Sequence, residues 1–336
     1  MTAGAETEPP APAAGAVLGG ATAPPRDLRS VVQRSYERYH RRLERGDHAR
    51  HTRFMNFGYD PVPGRPDHNA LHIGRLLPNA EAARLVGEII GSVALDAQVV
   101  VDVGCGRGGA LWLATTEQTP RLAFGFDLSP AGARAAETTL RDRVHATAGV
   151  ADAESLPLGS SMIDVVLSVE SSLHYPHLER FHAEVARVLR PGGTFCYGDL
   201  FHVAAGDAYT RSLEACGLAV ELERDVTENV LAARRARAQR QRRALDRRGP
   251  GGVGDDNNNS AAAVGETVGD WVGDAARFVA EPGTPFFDAM DHGTWTYRLI
   301  RARRTAATAT VAAADPRLRT AARLAQDLTG EFDADG

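Results

Sequence analysis

Cysteine is scarce in this chain. Cys105, Cys196 and Cys216 are too few and too scattered for a disulfide framework or a zinc site. Cys105 falls in a glycine loop and Cys196 in an expected strand, so both read as small buried residues. Long apolar runs are missing as well. None reaches the roughly 18 residues of a membrane span, so no span is expected. The amino-terminal stretch has no basic region followed by an apolar one, so no signal peptide is expected and the expected location is the cytoplasm. Charge of one sign does not dominate either. A net charge of −5 leaves no electrostatic footprint for nucleic acid. What the chain has is apolar content, 43% of 336 residues, ample for a packed core.

The most informative stretch is Val99-Val-Val-Asp-Val-Gly-Cys-Gly-Arg-Gly-Gly109. A continuous apolar run reads as a buried parallel strand. The glycines that follow let the backbone turn sharply and approach a ligand. A helical segment comes next, and a second apolar run closes on Phe126-Asp127, placing an acid at ribose distance. This is a βαβ unit that holds a nucleoside. Gly104, Gly106 and Gly109 satisfy the dinucleotide pattern G-x-G-x-x-G, so a nicotinamide cofactor fits too. Two features favour S-adenosylmethionine (SAM). Asp102 stands two residues before the first glycine, where a carboxylate suits a cationic amino acid end and opposes a pyrophosphate. Downstream, Asp152-Ala-Glu-Ser-Leu-Pro157, Ile163-Asp-Val-Val-Leu-Ser-Val-Glu170 and Val188-Leu-Arg-Pro-Gly-Gly193 follow in order. That ordered set resembles the class I SAM-dependent methyltransferases.

Strands are expected near 99–103, 122–127, 144–149, 163–169, 194–199, 218–224 and 295–303. Helices are expected near 109–118, 130–142, 177–190 and 207–216. Such alternation means an α/β fold with a mostly parallel sheet. The resemblance implies a Rossmann-like, seven-stranded sheet of order 3-2-1-4-5-7-6, its last strand antiparallel. Residues 1–27, rich in Ala, Pro and Gly, read as a disordered tail. Residues 28–95 read as a helical amino-terminal lid, with Val31, Val32, Tyr36, Tyr39 and Leu43 near one helix face. The SAM-binding core spans 96–226. A helical substrate lid follows over 227–294, containing a low-complexity mobile insert at 249–263 and a second helix near 266–280. The last core strand is placed at 295–304, and 305–336 forms a tail with a short helix near 316–328.

The resemblance assigns roles to matching positions. Gly104, Cys105, Gly106 and Gly108 form the loop at the methionine end, and Asp102 receives the α-amino group. Asp127, followed by Leu128, takes the ribose hydroxyls. Asp152 accepts from the adenine amine, with the Ala153 N–H on a ring nitrogen. The family usually has Gly where this chain has Ala151. Tyr36 and Tyr59 are expected to fold over the methionine end and exclude water, while Tyr39 and Phe57 are expected to pack. The octapeptide Val169-Glu-Ser-Ser-Leu-His-Tyr-Pro176 resembles the V-E-S-S-H-x-Y-P segment of bacterial small-molecule O-methyltransferases of secondary metabolism and lipid tailoring, acting on polyketide antibiotics, deoxysugars and phthiotriol-type precursors. Many of those carry His where this chain has Leu173, so the imidazole here is His174.

An alcohol is a weak nucleophile while protonated, and a base beside it helps. His174 is the expected base, with Asp199 orienting its ring and Glu170 touching cofactor or substrate. His177, His182 and His202 are expected to be solvated or on helix faces. The arginines between Arg234 and Arg248 are expected to form a solvated lid surface, with an anionic substrate or carrier protein as the alternative. The expected activity is methyl transfer from SAM to a hydroxyl of a small natural product, leaving S-adenosylhomocysteine (SAH) and needing no metal. Transfer to carbon or nitrogen, and non-catalytic SAM binding, are the alternatives. The expected partners are the acceptor and, at most, a second copy of the chain.

Overall fold

The structure is a computed structural model and describes residues 28–44, 52–69, 71–73, 77, 79–246, 280–306 and 311–329. Helices α1 (Leu28–Glu44) and α2 (Ala80–Ile90) precede the first strand, β1 (Val99–Val103). Then come α3 (Gly109–Glu117), β2 (Leu122–Asp127), α4 (Pro130–Leu140), β3 (Ala146–Val150) and β4 (Ile163–Val169). A 3-10 turn, Ser172–His174, leads to α5 (Leu178–Val188) and β5 (Leu189–His202), and a second, Val203–Ala205, to α6 (Ala208–Ala215), β6 (Leu218–Asp225) and α7 (Thr227–Asp246). The described chain resumes with α8 (Pro285–Asp291), β7 (Trp295–Arg304) and α9 (Pro316–Thr329). The tail 1–27, the insert 249–263 and most of the helix at 266–280 lie outside the described residues.

The strands form one sheet of order β3-β2-β1-β4-β5-β7-β6. Neighbours from β3 to β5 run parallel, and β7 is antiparallel to both β5 and β6. All five residues of β1 are buried, as a strand covered on both faces requires. Its side chains alternate between two apolar layers. Val100 joins Leu85, Ile89 and Leu111 on one face, and Val99, Val101 and Val103 join Phe181 and Phe195 on the other. Among the described residues no helix is long and apolar enough to cross a membrane.

Four local expectations are corrected. Strand β5 starts five residues early because Leu189 pairs with Ile163 before the register shifts at Arg190-Pro-Gly-Gly193 and resumes at Thr194. Helix α8 was not expected. Its seven residues are too few for a helical period, yet Pro285 at its first turn and the buried Phe286, Phe287 and Met290 account for it. The arginines of α7 are not all solvated. Arg234 is buried, and its guanidinium donates to the carbonyls of Ala280 (2.9 Å) and Phe57 (3.2 Å) and pairs with Glu281. Arg235 and Arg240 pair with Asp291 and Glu81. His182 is likewise fully buried, with Nδ1 2.8 Å from Ser212 Oγ, because α5 packs that face against α6.

Candidate active site

The carboxyl ends of β1, β2, β4 and β5 open onto a cavity whose wall includes Asp102, Asp127, Glu170 and Asp199. It lies where the strand order turns back on itself, between β1 and β4, which is where open α/β sheets bind ligands.

At the end of β1, Asp102 is 1% exposed, and its Oδ1 has no hydrogen-bond partner among the described residues. Burial, followed by the charge of Asp127, pushes this carboxyl up to about 7. The loop after it must be glycine. Gly104 has φ +73°, and a Cβ there would lie 2.2 Å from that of Ser171. The loop is tied to β2, since Gly104 N and Cys105 N donate to Phe126 O at 2.8 and 2.9 Å. Asp127 is pre-oriented by backbone donors. Its Oδ2 accepts from Gly106 N and its Oδ1 from Ser129 N, both at 2.8 Å. Burial nevertheless raises it to about 6.

Helix α1 roofs this end of the cavity. The Glu37 carboxylate accepts from Ser129 Oγ (2.6 Å) and Ala131 N (2.8 Å), docking α1 on the first turn of α4. Burial pushes Glu37 up, but those bonds and Arg41 more than offset it and hold the group down to about 2. Arg29 reaches over to Asp152 (3.0 Å) and Glu154 (2.8 Å). Tyr36 projects from α1 into the cavity, its ring 6.3 Å from that of His174, and burial keeps its phenol protonated.

The end of β4 carries the remaining groups. Glu170 sits at φ +51°, a conformation that costs free energy for a residue with a side chain and that clusters at working sites. Its carboxylate accepts from Phe57 N at 2.9 Å, and burial raises it to about 8. His174, on the 3-10 turn, is buried, and burial alone lowers its imidazole to about 4, so the ring is neutral at pH 7. Asp199 anchors that turn. Its Oδ2 accepts from Ser172 N (2.8 Å) and Ser172 Oγ (2.7 Å), while Oδ1 accepts from Leu200 N (2.8 Å). Asp199 therefore places the backbone that carries His174. The chain has no lysine, so every fixed cation lining the cavity is an arginine, which holds its proton too tightly to act as a base.

The cavity gathers most of the residues singled out in the sequence. His174, Asp199, Glu170, Asp102, Gly104, Cys105, Gly106, Asp127, Leu128, Asp152, Ala153, Val169 and Tyr36 all line it. Tyr59 and Gly108 do not. Tyr59 is buried, with its hydroxyl donating to Asp67 at 2.9 Å, because Gly58 (φ +85°) turns the chain there. Gly108 caps α3 in a left-handed conformation against Ala136. Conversely, Tyr39 and Phe57, expected only to pack, reach the cavity, with Phe54, Met55, Leu200 and Phe286 adding apolar wall. The aromatic run Phe54–Tyr59 carried that signal, whereas Phe286 and His40 carried none.

Known proteins agree with this geometry. The methyltransferase-domain family matches residues 101–197. Phthiotriol/phenolphthiotriol dimycocerosates methyltransferases of Mycobacterium tuberculosis and Mycobacterium leprae are 36% and 32% identical over 177 and 208 residues, covering 52% and 59% of this chain and 64% and 72% of theirs. The match thus spans less than two thirds of the M. tuberculosis protein. A fatty-acid O-methyltransferase of Mycolicibacterium smegmatis is 40% identical over 157 residues, 44% of this chain and 52% of that one. Geranyl diphosphate C-methyltransferase of Streptomyces coelicolor shares the fold, with a TM-score of 0.55 at 19% identity over 84% of this chain and all of that one. With the strand order, the glycine loop and these relatives together, the chain belongs to the class I SAM-dependent methyltransferases.

Proposed function

We propose that this chain transfers the methyl group of SAM to a hydroxyl of an apolar small molecule, a lipid or secondary metabolite. One observation carries the reading. Among the described residues the buried Asp102 Oδ1 has no hydrogen-bond partner, and it faces the cavity that a neutral imidazole, His174, also lines. A buried acceptor left open is expensive, and a cationic α-amino group satisfies it. The loop at Gly104–Gly106 leaves room for the methionine backbone. Each oxygen of Asp127 keeps a lone pair for a ribose hydroxyl, and Asp152 and the Ala153 N–H meet the adenine edge. Leu128 and Val169 flank it.

When bound, SAM supplies an electrophilic sulfonium methyl. The chain's own part is to position, dry and deprotonate. Phe57, Leu200 and Phe286 exclude water from the acceptor, and Tyr36 closes over the methionine end. His174 takes the hydroxyl proton, with Glu170 as a second carboxyl at the same end of β4. The apolar walls and the names of the mycobacterial relatives support a lipid-like acceptor. The test is transfer from methyl-labelled SAM to a panel of long-chain alcohols, phenols, fatty acids, amines and activated methylene compounds. Alkali-stable ethers are the expected products. Label appearing only on carbon or nitrogen refutes O-methylation, and SAM binding without transfer to extracts of the source cells refutes the enzyme reading.

A further inference from the structure

His40 is fully buried and lines the cavity, and neither of its ring nitrogens has a hydrogen-bond partner among the described residues. Two open nitrogens on one buried ring are rarely kept in a native protein unless something outside the chain uses them. Its position is specific. A Cβ on Gly132 would lie 2.8 Å from His40 Nε2 and 2.9 Å from Asp127 Oδ1, so imidazole and carboxylate converge on the same point of α4. The helix face that carries the ring is docked on the residues that follow Asp127. Gln33 donates to Leu128 O at 3.0 Å, and Glu37 grips Ser129 and Ala131, so α1 is pinned to the turn that follows Asp127. Tyr36, one helical turn earlier, faces the same cavity.

The chemistry of a vicinal diol explains why an imidazole stands here. Asp127 only accepts, and each of its oxygens already receives one amide. A diol can give it protons, but the hydroxyl oxygens then need a donor of their own. A neutral imidazole donates through one nitrogen and accepts through the other. Burial, then the nearby Arg107, lowers His40 to about 4, so the ring is neutral at pH 7. We propose that His40 is the second wall of the ribose site, bonding the cis-diol of an adenosine cofactor opposite Asp127, so that α1 reads the ribose as well as covering it. This rests on the SAM reading above.

Calorimetric titration of the full chain with SAH, 2′-deoxy-SAH and 3′-deoxy-SAH tests it. His40→Phe keeps the ring volume and removes both nitrogens, and should bind SAH about three- to tenfold more weakly than wild type, as for loss of one or two neutral hydrogen bonds. His40→Gln, which still donates and accepts, should recover most of that loss. With the deoxy analogue lacking the hydroxyl that meets His40, wild type and His40→Phe should bind alike. Unchanged SAH affinity in His40→Phe overturns the assignment. So does an equal loss for SAH and both deoxy analogues, which marks a packing role only. If His40→Phe fails to fold by circular dichroism, wild type and His40→Gln against the three ligands still decide. Wild type binding both deoxy analogues as tightly as SAH overturns the assignment without any variant. Wild type that binds no SAH overturns the SAM reading itself.

Discussion

Replacing Asp102 by Asn should make the ligand-free protein more stable and a worse binder, and the size of each effect follows from burial. The native carboxyl holds its proton up to about pH 7, against 3.8 when solvated. The folded state therefore binds more protons than the unfolded one between those values. Stability falls as pH rises through that window and levels off above it. A gap of about three units, at about 1.4 kcal/mol each, makes the loss about 4 kcal/mol. An amide cannot ionise, so Asp102→Asn escapes that loss. Its NH2 group, however, puts a donor where a buried acceptor stood and costs about 1–3 kcal/mol. The net gain at pH 8 is about 1–3 kcal/mol, roughly 5 °C in melting temperature. Near pH 4, where wild-type Asp102 is neutral in the folded state, only the amide's cost remains, so the gain should turn into a loss of about 1–3 kcal/mol. In the same variant SAH affinity should drop by about 10- to 100-fold, since a charge-assisted bond to the α-ammonium becomes a neutral one. Scanning calorimetry at both pH values and titration with SAH measure these effects. An identical melting shift at both pH values, or wild-type SAH affinity in the variant, would refute the reasoning.

Other expectations are as specific. His174→Ala should lower turnover about 10²- to 10⁴-fold while leaving SAM affinity unchanged, as for loss of a general base; wild-type turnover on an alcohol would move the role to Glu170. Glu37 is held well below its solvated value, so its contribution is complete above about pH 4.5 and lost as pH falls through about 2. Glu37→Gln should thus cost on the order of 1 kcal/mol at pH 7, solvent screening reducing the full shift, and little near pH 2, with hydrogen exchange rising first in α1. Arg234→Met should cost about 3 kcal/mol in urea unfolding, because the carbonyls of Phe57 and Ala280 lose their donor and Glu281 keeps only Arg237, at 3.6 Å; a cost below about 1 kcal/mol would mean water replaces the guanidinium.

Much of this was readable from residue order because the central strands β1 and β4 are covered on both faces. A covered parallel strand is a nearly continuous apolar run, as is the neighbouring β2, so these strands declare themselves, and the acid at the end of each stands out as a functional candidate. Asp102, Asp127 and Glu170 stand out for that reason. The same logic fails on helices, where a polar residue on a buried face looks like any surface residue. His40 sits among arginines and tyrosines in α1, and Arg234 among seven other arginines between 234 and 248, so neither departs from its surroundings in sequence. Their burial depends on segments more than 40 residues away, Gly132 for His40 and Ala280 for Arg234. Gly108 and Tyr59 fail in the opposite sense. Each belongs to the right motif, but the first serves helix geometry and the second a neighbouring loop.

The place of β7 bears on how the chain comes together. Among the described strands β6 pairs with β7 alone, and β7 lies between it and β5, although β5 and β6 are made well before it. During synthesis β6 has no hydrogen-bonded neighbour until residues 295–304 leave the ribosome. Until then β5 and β6 both expose an unpaired edge, the kind of surface that recruits strands from other chains. Truncation anywhere before β7 should therefore yield an aggregating product rather than a smaller active one, and the slowest step of refolding should be the late entry of β7 into a gap held open for it.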